Sequence, residues 1–104
     1  DCVSPTRLAR HGMALIKGHP GERINLKNAK YKRDPSPLDE RMELAASTTY
    51  SKSYVHHLFK VNELLGMQIL AQHNVAVMTQ LMREVREAIQ NDTLSELRSQ
   101  WIPE

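Results

Sequence analysis

The 104-residue sequence holds a single cysteine, Cys2. One thiol excludes an internal disulfide and any metal site built from several cysteines. Aromatic residues make up only 5% of the chain, and apolar residues 40%. A core must therefore come mostly from aliphatic side chains. No stretch approaches the ~18 apolar residues of a membrane span. The first residues, Asp-Cys-Val-Ser-Pro-Thr-Arg, carry no apolar secretory stretch. With the lone cysteine, that favours a cytoplasmic location. The chain also lacks an initiator Met and reads as a cut end. Its length allows one small domain, which buries roughly 60–70% of its unfolded surface.

What is present is unevenly charged. Residues 1–60 hold 11 Lys/Arg against 6 Asp/Glu, and residues 61–104 hold 3 against 6. A basic half invites an anionic partner, although a charged surface is more often simply solvated. Residues 1–12 include Pro5 and Gly12, show no helical period and read as a loop. An apolar run at 13–17, a Gly-His-Pro-Gly turn and an alternating stretch at 23–27 predict a hairpin. Residues 28–40 are polar and read as an irregular connector. Residues 40–47 have the propensity to begin a helix.

Ser51 is the expected N-cap of a helix whose buried face is Tyr54, Leu58, Val61 and Leu65, with Gly66 as its stop. After His73-Asn74, a second helix carries a stripe of Met78, Leu81, Met82, Val85, Ala88 and Ile89. Its methionines read as ordinary core rather than a cofactor box. Asn91-Asp92 breaks it, and Thr93-Leu94-Ser95-Glu96 is a capping box for a last short helix. Taken alone, the chain is an α+β fragment, a hairpin followed by three helices. His56 and His57 cannot chelate together, because adjacent helical residues point about 100° apart. One should pack inward and the other outward.

Several separated stretches, in order, resemble bacterial-type tRNA-guanine transglycosylases. Asp1-Cys2-Val3-Ser4-Pro5-Thr6-Arg7-Leu8-Ala9-Arg10-His11-Gly12 matches a D-C-V-x-P-T-R-x-A-R-x-G segment. Ile24-Asn25-Leu26-Lys27-Asn28-Ala29-Lys30-Tyr31 and Pro37-Leu38-Asp39 follow at the family's distances. Tyr50-Ser51-Lys52-Ser53-Tyr54-Val55-His56-His57-Leu58 is similar to a Y-S-R-A-Y-L-H-H-L helix, and Glu63-Leu64-Leu65-Gly66 and His73-Asn74 fall in place. The likeness covers nearly all of the chain.

The resemblance implies an α/β fold, the C-terminal portion of a (β/α)8 barrel with an inserted hairpin and helix subdomain. A whole barrel takes about 250 residues. It divides the chain into a barrel-strand end and tRNA-contacting loop (1–12), a zinc-type subdomain (13–72) and C-terminal helices (73–104). It implies exchange of the wobble guanine of tRNA with a GUN anticodon for a 7-deazaguanine base. Asp1 would be the nucleophile, forming a covalent bond to the ribose. A carboxylate suits this, being ionised at neutral pH and able to trap an oxocarbenium-like centre. Arg7 and Arg10 would contact the anticodon loop, guanidinium forks reading phosphates or base edges. Lys27, Lys30, Lys32 and Arg33 read equally as a phosphate-tracking extension or as a solvated face. The family's general acid/base aspartate and base-recognition residues lie upstream, so the isolated chain should be inactive. Other readings are a non-catalytic tRNA-binding or subunit-interaction module and an inactive truncated fragment.

The likeness fails in one place. The family has C-x-C-x2-C and a histidine 26 residues later, a closed structural zinc site. Those cysteine positions here are Met42, Leu44 and Ser47, and only His73, 26 residues after Ser47, keeps a ligand. A thioether, an alkyl group and a hydroxyl do not hold zinc with one imidazole. No cofactor and no structural zinc are therefore expected. The family's homodimer, built partly on the zinc region, is put in doubt. The disagreement is confined to residues 40–47. Natural replacement by an apolar plug, deliberate cysteine removal and a local sequence error all fit. A structural zinc is worth roughly 10–16 kcal/mol of binding and a buried apolar side chain roughly 1.5–3. Residues 40–50 are thus expected to be mobile.

Overall fold

The structure, a computed structural model, describes residues 4–19 and 21–102. Asp1 and Cys2 therefore lie outside the described residues. The elements run α1 (Ser4–Arg10), β1 (Met13–Leu15), β2 (Arg23–Asn25), a 3₁₀ turn (Ala29–Tyr31), α2 (Ala45–Thr48), α3 (Lys52–Lys60), α4 (Leu64–Asn91) and α5 (Leu94–Trp101). Among the described residues there are thus five helices rather than three. Of the two added, α1 replaces an expected loop, and α2, a single turn, lies at the end of the 40–47 stretch expected to begin a helix.

The expected hairpin is present with shorter strands. Met13 pairs with Asn25, Ala14 with Ile24 and Leu15 with Arg23, antiparallel. The alternation is real: Ile24 and Leu26 are buried while Asn25 and Lys27 face out. Gly18 and Gly21, at φ near +80°, make the connecting turn, a conformation open to glycine at no steric cost.

The connector is less irregular than its composition suggests. Residues 36–39 run antiparallel to 47–52. Leu38 N–H donates to Tyr50 O, Asp39 N–H to Ser47 O and Lys52 N–H to Ser36 O, at 2.9–3.1 Å. This neck closes the loop that contains residues 40–46.

Ser51 caps α3 as expected, its Oγ accepting from Tyr54 N–H at 3.1 Å. The buried face is rotated from the expected one. Val55, His56, Leu58 and Phe59 are buried, whereas Tyr54, Val61 and Leu65 are exposed. Tyr54 instead stacks on Tyr50, ring centroids 5.6 Å apart. His56 points in and His57 out.

Gly66 does not stop α3. Asn62, at φ 59°, does: its N–H donates to Phe59 O and Glu63 N–H to Leu58 O, a Schellman motif with Asn in the left-handed position. Gly66 sits in the first turn of α4. A Cβ there would lie 3.1–3.2 Å from Leu58 and the Phe59 ring. The glycine lets α3 and α4 cross closely.

α4 has 28 residues and changes character along its length. Ile69, Leu70, His73, Asn74 and Val77 are buried; beyond them Met82 and Ile89 are exposed and only Ala88 is buried. The Met78–Met82 stripe is therefore not core, because the second half of α4 runs past the body of the fold. Asp92, at φ 55°, ends it in a second Schellman motif, with Thr93 N–H donating to Ala88 O. Thr93 is the N-cap of α5, but its side chain makes no capping bond. The expected capping box is absent. Trp101 docks α5 under Lys17, whose Nζ lies 5.2 Å from the ring centroid and 2.8 Å from Glu84 Oε1.

Candidate functional site

The segment 4–10 is a helix, not a loop. Proline is tolerated in a first helical turn, where its missing N–H has no partner to lose. Pro5 and Ala9, four apart, form the buried face. Arg7 and Arg10, three apart, are exposed, so both guanidinium groups project from one side. Gly12, at φ +80°, ends the helix and turns the chain into β1.

One residue fixes this helix. Asn74, fully buried on α4, donates from Nδ2 to Pro5 O (3.1 Å) and Met13 O (2.9 Å). Its Oδ1 accepts from Leu15 N–H at 2.9 Å. A single amide thus meets three backbone groups, two on the free side of β1 and one in α1. His73 takes the next peptide unit along β1, its Nε2 lying 2.7 Å from Leu15 O. The two side chains thus cover the free edge of β1 in place of a third strand. Sequence reasoning noted the His73-Asn74 pair but missed what Asn74 does. The signal was an amide in an otherwise apolar helical stretch.

The basic residues divide. The stem of Lys27 lies across Gly12, where a Cβ would come within 2.9 Å of its Cγ. Lys27 is thereby beside the end of α1 and near Arg10. Lys30 sits in the 3₁₀ turn, its Nζ 5.1 Å from the Tyr31 ring centroid. Both are exposed. The fold therefore brings Lys27 to the arginine helix.

At the positions of the absent thiolates, the side chains do other work. Leu44 is half-buried and packs on the main core cluster. Met42 is half-buried on the loop. Ser47 and His73 are both fully buried, with Oγ 2.7 Å from Nδ1. The Leu15 carbonyl can only accept, so Nε2 of His73 carries the proton. In the neutral ring Nδ1 is then an acceptor, and the serine hydroxyl donates to it. Burial lowers the His73 pKa below its usual range, opposed by the Leu15 bond and by the charge of Asp39. The imidazole lone pair that would face a metal is thus taken by Ser47. Among the described residues no group of three His, Cys, Asp or Glu could hold a metal ion. The residues present do not fit zinc.

The family model described as Queuine tRNA-ribosyltransferase matches residues 1–104. The chain is 43% identical over 103 residues to the Queuine tRNA-ribosyltransferase of Roseiflexus sp. (strain RS-1), covering 98% of this chain and 26% of that protein. It is 42% identical over 104 residues to that of Prochlorococcus marinus (strain MIT 9303), covering 100% and 27%. The enzyme of Macrococcus caseolyticus (strain JCSC5402) is 43% identical over 105 residues, covering 100% and 27%. The chain spans about a quarter of the length of these relatives.

Proposed function

Since the chain belongs to the queuine tRNA-ribosyltransferase family, we propose that it supplies the C-terminal part of a transferase acting on tRNA in queuosine biosynthesis. The observation that carries this reading is identity of 42–43% along the whole chain, including the segment that α1 displays. The fold class follows as the end of a (β/α)8 barrel with its inserted subdomain. Residues 1–12 close the barrel strand and carry the tRNA-contacting helix, residues 13–72 form the former zinc subdomain, and residues 73–104 the C-terminal helices.

In the reaction, a carboxylate oxygen of Asp1 attacks the ribose C1′ of the wobble nucleotide in a tRNA with a GUN anticodon. The C1′–N9 bond breaks, and guanine leaves with a proton from an acid elsewhere in the enzyme. The incoming 7-deazaguanine base attacks C1′ and displaces Asp1, losing its ring proton. Arg7 and Arg10 hold the anticodon loop over this centre, with Lys27 and Lys30 beside them. Among the described residues no helix is long and apolar enough to cross a membrane. The location in this reading is the cytoplasm.

Exchange of labelled guanine into tRNA by the full-length protein tests the reading. Asp1→Asn should abolish both exchange and the covalent protein–tRNA adduct on a denaturing gel. Undiminished exchange in that variant refutes the nucleophile. The 104 residues expressed alone should show no exchange.

A further inference from the structure

Arg7 and Arg10 can serve a tRNA only if α1 stands in one place, and little in α1 itself secures that. A helix of seven residues is marginal alone. Its buried face is a proline ring and one methyl group, Pro5 and Ala9. Apolar contact of this kind is non-directional. It holds the helix down without fixing its rotation or its slide along the axis. A directional bond does that, and Asn74 makes one.

The amide nitrogen of Asn74 has two N–H groups, and the fold uses both. One donates to Pro5 O at 3.1 Å and the other to Met13 O at 2.9 Å. A single planar nitrogen thus ties the first turn of α1 to β1. Oδ1 accepts from Leu15 N–H at 2.9 Å, which sets the plane of the amide. β1 is itself held from both sides, by β2 and by His73 at Leu15 O. The platform is the best-packed part of α4, where Leu70, His73 and Val77 are buried around Asn74. Arg7 and Arg10 lie two and five residues beyond Pro5, less than two helical turns. A shift at the Pro5 carbonyl is carried to both guanidinium groups.

We propose that Asn74 is a positioning residue for tRNA engagement. Fully buried, it touches no RNA. It sets the slide and rotation of α1, and through them where the two arginines stand on the body of the enzyme. The inference rests on the functional reading above, in which Arg7 and Arg10 contact the anticodon loop. A misplacement of about 1 Å at a positioned group can cost on the order of 10²-fold, so a buried amide with no ligand of its own carries weight in binding.

The test is exchange of labelled guanine into tRNA by the full-length protein, with kcat and KM for tRNA measured separately. Asn74→Asp keeps the shape and the Leu15 bond but turns an oxygen toward two carbonyls. It should raise KM about tenfold or more and leave kcat within about threefold, the signature of lost binding rather than lost chemistry. Arg7→Ala/Arg10→Ala should raise KM as well. Adding Asn74→Asp to that variant should raise it no further, because the groups that Asn74 positions are gone. Val55→Ala is a buried change on α3, which packs on α4 and on the 3₁₀ turn. It should lower the melting temperature and keep KM. Asn74→Ala carries the same expectations and replaces Asn74→Asp if the buried carboxylate prevents folding. An unchanged KM on losing the amide, or a rise that persists in full without the arginines, overturns the assignment. An equal rise in Val55→Ala reduces the effect to stability and overturns it too. If removing the arginines leaves KM unchanged, the functional reading of Arg7 and Arg10 fails, and this inference with it.

Discussion

Asn74 and His73 are neighbours on α4, both fully buried, and they hold two regions with different histories. Asn74 holds the α1–β1 junction, where the family's motif is intact and every contact of the amide is met by backbone. His73 holds the 40–47 loop, where the motif is lost and one hydroxyl stands where a metal and three thiolates would. The first region is over-determined, with one side chain closing three separate bonds. The second is held by Ser47 bonded to His73 and by Arg41, whose guanidinium donates to Lys17 O and whose N–H donates to Asp39 Oδ1, together with the backbone neck and Leu44. The histidine that the resemblance assigns to zinc is satisfied here by one hydroxyl at a position the resemblance assigns to a thiolate.

The comparison can be broken by restoring the metal. Met42→Cys/Leu44→Cys/Ser47→Cys should bind about one zinc per chain by elemental analysis, while the parent binds none. It should gain stability on the order of 5 kcal/mol that a chelator removes, well below a zinc finger's full binding energy because Leu44's packing is lost. A reduced triple variant without zinc would mean that the loop backbone has left the metal-binding geometry as well. Asn74→Leu should cost about 2–4 kcal/mol in denaturant unfolding, since it strands the Met13 carbonyl and the Leu15 N–H at roughly 1–3 kcal/mol each and removes a further bond to Pro5 O, partly relieved by water. A cost below about 1 kcal/mol would make the junction no better determined than the loop.

Ser47→Ala should cost less, about 1–2 kcal/mol, by leaving His73 Nδ1 without a donor. Amide exchange across residues 40–46 should speed up in that variant; unchanged exchange would show that the neck and the Arg41 contacts hold the loop without it. The smallest effect concerns pH. The His73 pKa is lowered in the folded state, mainly by burial. Stability is therefore complete above the unfolded value near 6.5 and falls as pH drops below it, because the unfolded chain takes up a proton that the folded chain refuses. The slope should not exceed about 1.4 kcal/mol per pH unit for this one group. It should vanish in His73→Gln, once that variant's own lower stability is subtracted. A slope that survives belongs to other residues.

The hairpin, the Ser51 cap and the break at Asn91-Asp92 were legible because turn and cap residues act locally. α1 was not: seven residues beginning Ser-Pro carry too little periodicity, and Asn74, which stabilises the helix, is about 70 positions away. Gly66 was misread because a glycine admits both a left-handed stop and a close helix crossing, and only the packed partner decides. The exposed Met82 and Ile89 were misplaced because apolar spacing does not say where the body of the fold ends. Arg7 and Arg10 had meaning only through the resemblance, and the placing of Lys27 across Gly12 at the end of α1 needed the fold.

Since His73 and Asn74 occupy adjacent rungs, the arginine helix and the degenerate loop share one phase of α4. A helix turns about 100° per residue. Inserting or deleting one residue between Gly66 and His73 would swing both anchors away from Leu15 together, releasing two regions with one change. The same edit between Val77 and Glu84 would leave both in place and instead part Lys17 from Glu84 and shift α5, whose Trp101 docks under Lys17. The first turns of α4 thus set the phase of both anchors, and the remainder sets where α5 meets the hairpin turn.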